Sequence, residues 1–293
     1  MSKKLIIAGG TGFIGEYLNE RFSKSGYDVI IISRKNGTVH WNDEKRIIVA
    51  LEDSSMLINL AGKSINCRFT ERNKKKLISS RIETTKILGE AILKCNHPPE
   101  LWLNVSGASV YRDSQKPMSE NGEIGTDFLA DLAFKWEKTF YSFQLSNTRQ
   151  IVLRLAIVLG KNGGVLKPFS NLVKFGLGGR QGSGNQMFSW IHLEDLFSII
   201  SFLTIHEEIN GVINCSSPNA VTNKTLMKTL REVLTVRIGI PSYEWMLRIG
   251  AFIIGTEPEL VLKSQWIYPE KLLNAGYVFK HAELKPALKN ILQ

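Results

Sequence analysis

The first 35 residues combine apolar runs, a glycine cluster and a helical repeat in the order of a mononucleotide-binding unit. An apolar run at residues 4–8 precedes the glycine cluster at residues 9–15. Apolar side chains then recur at helical spacing between residues 13 and 22, and Gly26 stands where a left-handed helix end is favoured. A second apolar run follows at residues 29–32. This pattern predicts a strand, a turn, a helix and a second strand.

Further short apolar runs follow along the chain, with helical patterns between most of them. They predict strands at Thr38 to Trp41, Met56 to Leu60, Leu101 to Ser106, Ile151 to Ala156 and Val212 to Cys215. Strands that alternate with helices are typical of a parallel sheet with helices on both faces. The sequence therefore predicts an α/β protein with a doubly wound, Rossmann-type parallel sheet.

Two regions depart from this alternation. Residues 161–188 form a glycine-rich excursion, and a long loop over a doubly wound sheet is often on the substrate side. After Pro218 the pattern is mostly helical, over residues 222–236, 243–262 and 284–292. We predict a dinucleotide-binding domain over residues 1–216 and a small, mostly helical C-terminal cap over residues 217–293.

The composition, with 43% hydrophobic and 22% charged residues in a chain of 293, is typical of a folded globular protein. No apolar run approaches the roughly 20 residues that span a bilayer, and the run after Lys4 is too short for a signal-peptide core. We therefore expect a cytoplasmic protein without a membrane partner. The sequence does not define the oligomeric state, and a homo-oligomer stays open.

The formal net charge of +10 is compatible with nucleic acid, an anionic surface or a phosphorylated small ligand. The densest basic run, residues 72–76, begins a long helical pattern and is interpreted as a solvated helix face. No nucleic-acid-binding motif accompanies this run, so we expect no nucleic-acid partner.

The spacings that are typical of metal sites and hydrolase nucleophiles are missing from the sequence. Cys67, Cys95 and Cys215 are widely separated and form no C-x-x-C pair. The five histidines form no H-x-x-x-H pair, and no serine stands in G-x-S-x-G. The sequence therefore predicts no metal site and no α/β-hydrolase nucleophile.

The glycine cluster is a G-x-x-G-x-x-G loop between the first predicted strand and the first predicted helix. Glycines there allow a tight turn and a close approach of backbone N–H groups to a pyrophosphate, whose charge the helix dipole favours. We predict dinucleotide binding by this loop rather than a merely structural turn. Its residues are Gly9, Gly10, Thr11, Gly12, Phe13, Ile14 and Gly15.

The end of the second predicted strand bears on the choice of cofactor. An acid at that point pairs with the ribose hydroxyls of NAD, whereas a base pairs with the 2′-phosphate of NADP. The strand ends Ser33-Arg34-Lys35, with no carboxylate, and the Arg34 side chain offers a fork suited to phosphate. The sequence predicts NADP(H) in preference to NAD(H), and a solvated surface role for Arg34 is the alternative.

Several motifs resemble those of the extended short-chain dehydrogenase/reductase superfamily. They are the glycine loop, Asn59-Leu60-Ala61-Gly62, Val105 to Tyr111 and Trp190 to Leu196. A closer resemblance, over nearly the whole chain, is to an atypical branch, the NAD(P)-dependent epimerase-family proteins with a small C-terminal domain. It rests on Ser80-Arg81-Ile82, Trp136-Glu137, residues 158–164, 176–179 and 269–277. The resemblance implies a nucleotide-dependent oxidoreductase or epimerase acting on an undefined small molecule.

The resemblance also implies roles for individual residues. Asn59, Leu60, Ala61 and Gly62 would close over the cofactor, and the segment from Ser106 to Tyr111 would lie near the nicotinamide. Arg154 and His192 stand on similarly placed motifs and are candidates for the substrate pocket. For Arg154, hydrogen bonding to backbone carbonyls is an equally open role.

The usual catalytic pair of the superfamily is a tyrosine general acid/base with a lysine four residues later. No tyrosine of this chain has lysine at that spacing. Alignment on Trp136-Glu137 places the tyrosine position near Leu129, the lysine position near Ala133 and the usual hydroxyl on Gly107. The nearest replacements are Ser106, Ser109, Tyr111 and Lys135, and the hydroxyls of the first three are the catalytic candidates.

Two hypotheses follow from the missing pair. In the first, the protein is an NADP(H)-dependent oxidoreductase or epimerase in which one of these hydroxyls polarises a carbonyl. In the second, it binds the dinucleotide without turnover, as a redox-sensing protein does.

Overall fold

The computed structural model describes residues 3–293 and is built around a seven-stranded parallel sheet. The strands are β1 (Lys4–Ala8), β2 (Asp28–Ser33), β3 (Val39–His40), β4 (Met56–Asn59), β5 (Leu101–Gly107), β6 (Arg149–Leu155), β7 (Ile157–Leu159), β8 (Met187–Phe188), β9 (Trp190–His192), β10 (Gly211–Cys215) and β11 (Val221–Thr222). The main sheet has the order β10-β6-β5-β4-β1-β2-β3 with every neighbouring pair parallel. The seven predicted strands are therefore confirmed, with ends shifted by at most two residues.

Helices cover both faces of this sheet. They are α1 (Phe13–Lys24), α2 (Glu44–Leu51), α3 (Glu71–Ile92), α4 (Phe128–Phe140), α5 (Leu166–Lys174), α6 (Leu193–Ile205), α7 (Asn223–Val233), α8 (Glu244–Ile254), α9 (Glu259–Leu262), α10 (Glu270–Asn274) and α11 (Leu284–Leu292). Helices α1 and α6 pack their apolar side chains on one face, and α2, α3 and α4 pack theirs on the other. The predicted doubly wound α/β fold is confirmed.

Local sequence signals fix several helix ends. Asp43, Thr70, Asp127 and Thr222 each accept a hydrogen bond from the backbone N–H three residues later, and helices α2, α3, α4 and α7 begin there. After α1, Gly26 has φ +86°, which confirms the predicted left-handed residue.

The structure corrects two expectations about the remaining chain. The excursion at residues 161–188 is not an open loop, because α5 lies within it and packs Leu166 and Val173 against helices α7 and α11. The helix predicted over residues 243–262 is broken in two, because Gly255 has φ +73° and Pro258 begins the next helix. Within residues 3–293, no helix combines the length and apolar character needed to cross a membrane.

Candidate functional site

A cleft of about 510 Å³ opens at the carboxyl ends of β1, β4, β5 and β6. The strand order reverses direction between β1 and β4, and in doubly wound sheets ligands bind beside such a switch point. The cleft is lined by Phe13 and Ile14 after β1, by Leu60 and Gly62 after β4, and by Ser106 to Ser109 at the end of β5. It therefore joins the glycine loop to the segment expected near the nicotinamide.

The glycines of the loop differ in what surrounds them. Gly9 has φ +80°, and a Cβ atom there would lie 2.8 Å from the backbone of Ala61. A Cβ atom at Gly15 would lie 2.5 Å from the backbone of Gly10, so helix α1 packs directly on the turn. A Cβ atom at Gly12 would meet only the carbonyl oxygen of Gly9, at 3.9 Å. Gly12 thus leaves open space that a bound dinucleotide can fill, which fits the predicted pyrophosphate cradle.

The side chain of Asn59 does not face the cleft, contrary to the expectation of a direct cofactor contact. It is fully buried, and its amide nitrogen donates to Thr85 Oγ1 at 3.0 Å and to Asn104 Oδ1 at 2.8 Å. Its amide oxygen accepts the backbone N–H of Ala61 at 3.1 Å. Asn59 therefore shapes the turn that carries Leu60 and Gly62 into the cleft wall.

The end of β2 lies beside the glycine loop. Ser33 is buried, whereas Arg34 and Lys35 directly after the strand are exposed. The backbone N–H of Gly9 donates to the carbonyl oxygen of Ile32 at 2.8 Å, which holds the loop and the strand end together. This placement leaves Arg34 and Lys35 free to contact the adenosine end of a dinucleotide, and the preference for NADP(H) stays a prediction.

Helix α4 presents an apolar face to the cleft at the positions where the sequence resemblance places the tyrosine and lysine of the superfamily. Leu129, Ala133 and Trp136 all line the cleft. At the end of β5, a Cβ atom on Gly107 would lie 2.9 Å from Ser109 Oγ. The Ser109 hydroxyl therefore lies next to the space that a side chain at position 107 would occupy.

A buried polar network lies behind this wall. Arg154 forms two hydrogen bonds with the Glu137 carboxylate, of 3.0 Å from Nε to Oε1 and 2.7 Å from Nη2 to Oε2. Ser106 Oγ donates to the same Oε1 at 2.8 Å. Arg154 Nη1 donates to the Tyr111 hydroxyl at 2.9 Å, which in turn donates to Asn214 Oδ1 at 2.8 Å. The network joins β5, α4, β6 and β10 through charge-assisted hydrogen bonds.

This network corrects the catalytic role predicted for Tyr111 and favours, of the two roles left open for Arg154, hydrogen bonding within the protein. Tyr111 is fully buried and lies outside the lining of the cleft, and burial raises the pKa of its phenol. The guanidinium of Arg154 is enclosed by Glu137, by Tyr111 and by the backbone carbonyl of Glu120. Both side chains are committed to packing at the sheet end, so neither is placed to touch a substrate. Ser106 and Ser109 do line the cleft.

His192 is also placed differently from the expectation of a substrate contact. It is buried outside the cleft lining, and its Nδ1 accepts the backbone N–H of Glu194 at 3.0 Å, which caps α6. Its ring stacks on that of His281, with centroids 3.8 Å apart. His281 Nε2 lies 2.9 Å from the Glu194 carboxylate, whose other oxygen faces Lys280. His192 thus joins α6 to the C-terminal segment.

The burial of His192 predicts loss of stability in mild acid. Burial, and then the nearby His281, lower its pKa from the ordinary 6.5 to about 4. The unfolded chain therefore binds a proton more readily, and stability falls as the pH drops from about 6.5 towards 4. We expect a loss of about 2 kcal/mol between pH 7 and pH 5, measured by urea unfolding.

A variant isolates the contribution of the His192 ring to this pH dependence. His192→Asn keeps a capping oxygen and removes the titrating ring, so its stability should change much less over the same interval. His40→Asn, at an exposed histidine, is the matched control and should behave like the parent. An unchanged pH dependence in His192→Asn would assign the effect to another group.

Three basic side chains in the cleft wall were not predicted as site residues. Lys63 follows the turn after β4, Arg81 comes from α3, and Lys263 follows α9. Lys263 Nζ donates to the carbonyl oxygen of Ser109 at 3.0 Å and to Asp127 at 2.7 Å, which ties the C-terminal region to the cleft. Of the three, Arg81 stood within a motif of the family resemblance, the Ser80-Arg81-Ile82 segment.

The ring of Phe13 links the glycine loop to the excursion. A Cβ atom at Gly160 would lie 2.9 Å from this ring, at Gly163 2.5 Å and at Gly164 3.2 Å. These three glycines therefore let residues 160–164 pack directly on the first residue of α1.

Comparison with known proteins places the chain in a family. The model of the NAD dependent epimerase/dehydratase family matches residues 5–216. The chain belongs to this family. A second model, for a domain of unknown function (DUF1731), matches residues 244–291.

Known relatives match this chain over nearly its whole length. It is 33% identical to the epimerase family protein SDR39U1 of Homo sapiens and 31% identical to the epimerase family protein MW0731 of Staphylococcus aureus, with 99% of both chains covered in each case. The crystal structure of the human protein (isoform 2), solved with NADPH, superposes with a TM-score of 0.89 at 32% identity and 98% coverage of both chains. The resemblance to atypical extended short-chain dehydrogenases with a dedicated C-terminal domain is thereby confirmed.

Proposed function

We propose that this family member binds NADP(H) and transfers hydride to or from a small molecule, as an oxidoreductase or an epimerase. The observation that carries the proposal is a single cleft that contains both the glycine loop and the end of β5. The open space at Gly12 fits a pyrophosphate, and the similar human protein was crystallised with NADPH. The exposed Arg34 and Lys35 support the 2′-phosphate as the distinguishing contact.

The residues of the cleft suggest how a carbonyl would be held. A bound nicotinamide would supply or accept the hydride. Ser106 already donates its proton to Glu137, so the Ser109 hydroxyl is the better placed donor to a substrate oxygen. Leu129 and Ala133, where the resemblance places the usual tyrosine and lysine, line the cleft, which supports proton transfer without that pair.

The cofactor preference is tested by Arg34→Ala. Because the guanidinium would contact only the 2′-phosphate, the variant should bind NADPH more weakly by about 1–3 kcal/mol and bind NADH almost unchanged. Fluorescence titration of both cofactors measures this difference. Equal losses for NADPH and NADH would contradict the assignment of Arg34.

A second candidate function is dinucleotide binding without turnover. It is favoured by the apolar side chains at Leu129 and Ala133, since a cleft without the usual acid/base pair can still bind the cofactor.

Stopped-flow absorbance separates the two candidates. Protein loaded with NADPH is mixed with a panel of small aldehydes and ketones, and oxidation of the bound nicotinamide is followed. Oxidation by one compound, slowed by about 10-fold or more in Ser109→Ala, is expected for the enzyme. Tight NADPH binding with no oxidation by any member of the panel would favour the second candidate.

A further inference from the structure

Arg81 places a positive charge in the wall of the cleft, where it packs against the uncharged residues Gly62 and Trp136. Its Cζ atom lies 5.1 Å from the centroid of the Trp136 ring, on the adjacent helix α4. A Cβ atom at Gly62 would lie 3.0 Å from the same Cζ atom. The glycine therefore leaves the space that the guanidinium occupies, and the indole makes a cation–π contact with the guanidinium.

The hydrogen bonds of Arg81 fix one corner of its guanidinium and leave an edge open. Nη1 donates to the carbonyl oxygens of Lys63 at 3.0 Å and Leu77 at 3.1 Å. Within residues 3–293, Nε and Nη2 donate to no protein group and are not sealed from solvent. Two parallel N–H groups on one edge match the two oxygens of a carboxylate.

The charge around Arg81 is not balanced by the protein. Among the described residues, no carboxylate oxygen lies within 4.0 Å of its nitrogens. The nearby Lys63 adds a second cation, because its Nζ donates to the neutral amide of Asn73 at 2.8 Å. Burial lowers the pKa of Arg81 to about 10, so the guanidinium stays charged at neutral pH. A partly buried cation without a counter-charge favours the binding of an anion.

We propose that Arg81 binds the carboxylate of the substrate, and that the rest of the substrate is apolar. The apolar part would contact apolar side chains that line the same cleft, which are Leu129, Leu132, Trp136, Phe169 and Phe188. The assignment rests on the proposed function, since it places the carboxylate in the same cleft as the nicotinamide. A phosphate of the cofactor is the other oxyanion that could reach Arg81, and the experiment separates the two.

Benzoate and benzamide are suitable probes because they share size and an apolar ring but differ in charge. Isothermal titration calorimetry measures their binding to NADPH-saturated protein and to cofactor-free protein. The parent should bind benzoate at least about 10-fold more tightly than benzamide, as expected for a charge-assisted pair of hydrogen bonds. Arg81→Met should lose this preference while its NADPH affinity changes by less than about 3-fold.

Two further variants make the test specific. Arg72→Met makes the same change at an exposed position of α3 and should keep the preference of the parent. Arg81→Lys keeps the charge without the fork, so it should retain only part of the preference. If Arg81→Met does not fold, as judged by circular dichroism, Arg81→Lys becomes the deciding variant. A preference for benzoate over benzamide as large as that of the parent would then contradict recognition by the planar guanidinium.

Each remaining outcome is informative. An equal affinity of the parent for benzoate and benzamide overturns the proposal. So does a loss of NADPH affinity of about 10-fold or more in Arg81→Met with the benzoate preference intact, because the guanidinium would then serve the cofactor. If the parent does not bind NADPH, the proposed function fails, and the titration of cofactor-free protein still tests Arg81.

Discussion

Replacing Gly12 with valine is expected to abolish cofactor binding and to leave the fold intact. The backbone of Gly12 is extended, with φ −99°, and a Cβ atom there meets nothing closer than 3.9 Å, so valine fits the protein. The same side chain would occupy the space of the pyrophosphate. We expect NADPH affinity to fall by about 100-fold or more, and stability to fall by about 1 kcal/mol or less from the poorer helix cap.

Fluorescence titration and thermal unfolding measure the two effects separately. Gly250→Val, where a Cβ atom has open space on α8, is the matched control and should bind NADPH like the parent. The parent and the control should gain thermal stability from saturating NADPH, and Gly12→Val should not. A full thermal shift in Gly12→Val would mean that the loop is not the pyrophosphate site.

Replacing Glu137 with methionine is expected to cause the largest loss of stability. The side chains of Glu137 and Arg154 are each 7% exposed, and their ion pair is the centre of the network at the sheet end. Removal of the carboxylate leaves a buried guanidinium without a counter-charge, which costs about 3–5 kcal/mol. Urea unfolding at pH 7 measures this loss.

A double variant separates the cost of the orphaned charge from the loss of packing. Glu137→Met combined with Arg154→Met removes both charges, so it should be more stable than Glu137→Met alone. Lys135→Ala, in an exposed pair with Asp131 on the same helix, should cost less than about 1 kcal/mol. A double variant as unstable as Glu137→Met would show that the orphaned charge of Arg154 is not the cause of the loss.

The sheet and its glycine loop could be predicted from the sequence because their signals are local. Strands such as Leu5–Ala8 and Met56–Asn59 are buried on both faces, so they are continuous apolar runs. The turn after β1 needs glycine at positions 9 and 15, because side chains there would clash with the backbone of Ala61 and Gly10. All of these residues lie within the first 61 of the chain. That Leu129 and Ala133 line the cleft could also be predicted, because alignment with the superfamily pattern puts them near its tyrosine and lysine positions.

The roles of Tyr111 and Arg154 could not be predicted because their partners are distant in the chain. Tyr111 is satisfied by Asn214, 103 residues away, and Arg154 by Glu137 on another element. No local pattern marks such a network, although its members lie in register on neighbouring strands. Arg81 was missed for a related reason, since the absence of a counter-charge becomes visible only when all neighbours are known.

The contact between Phe13 and the glycines at positions 160, 163 and 164 restricts how this protein can vary over evolutionary time. A side chain at Gly163 would enter the Phe13 ring, so this glycine can be replaced only when residue 13 becomes smaller. Two segments about 150 residues apart must therefore change together. Among homologues, alanine or serine at position 163 should occur together with a smaller residue at position 13. A large aromatic residue at position 13 should occur together with glycine at position 163.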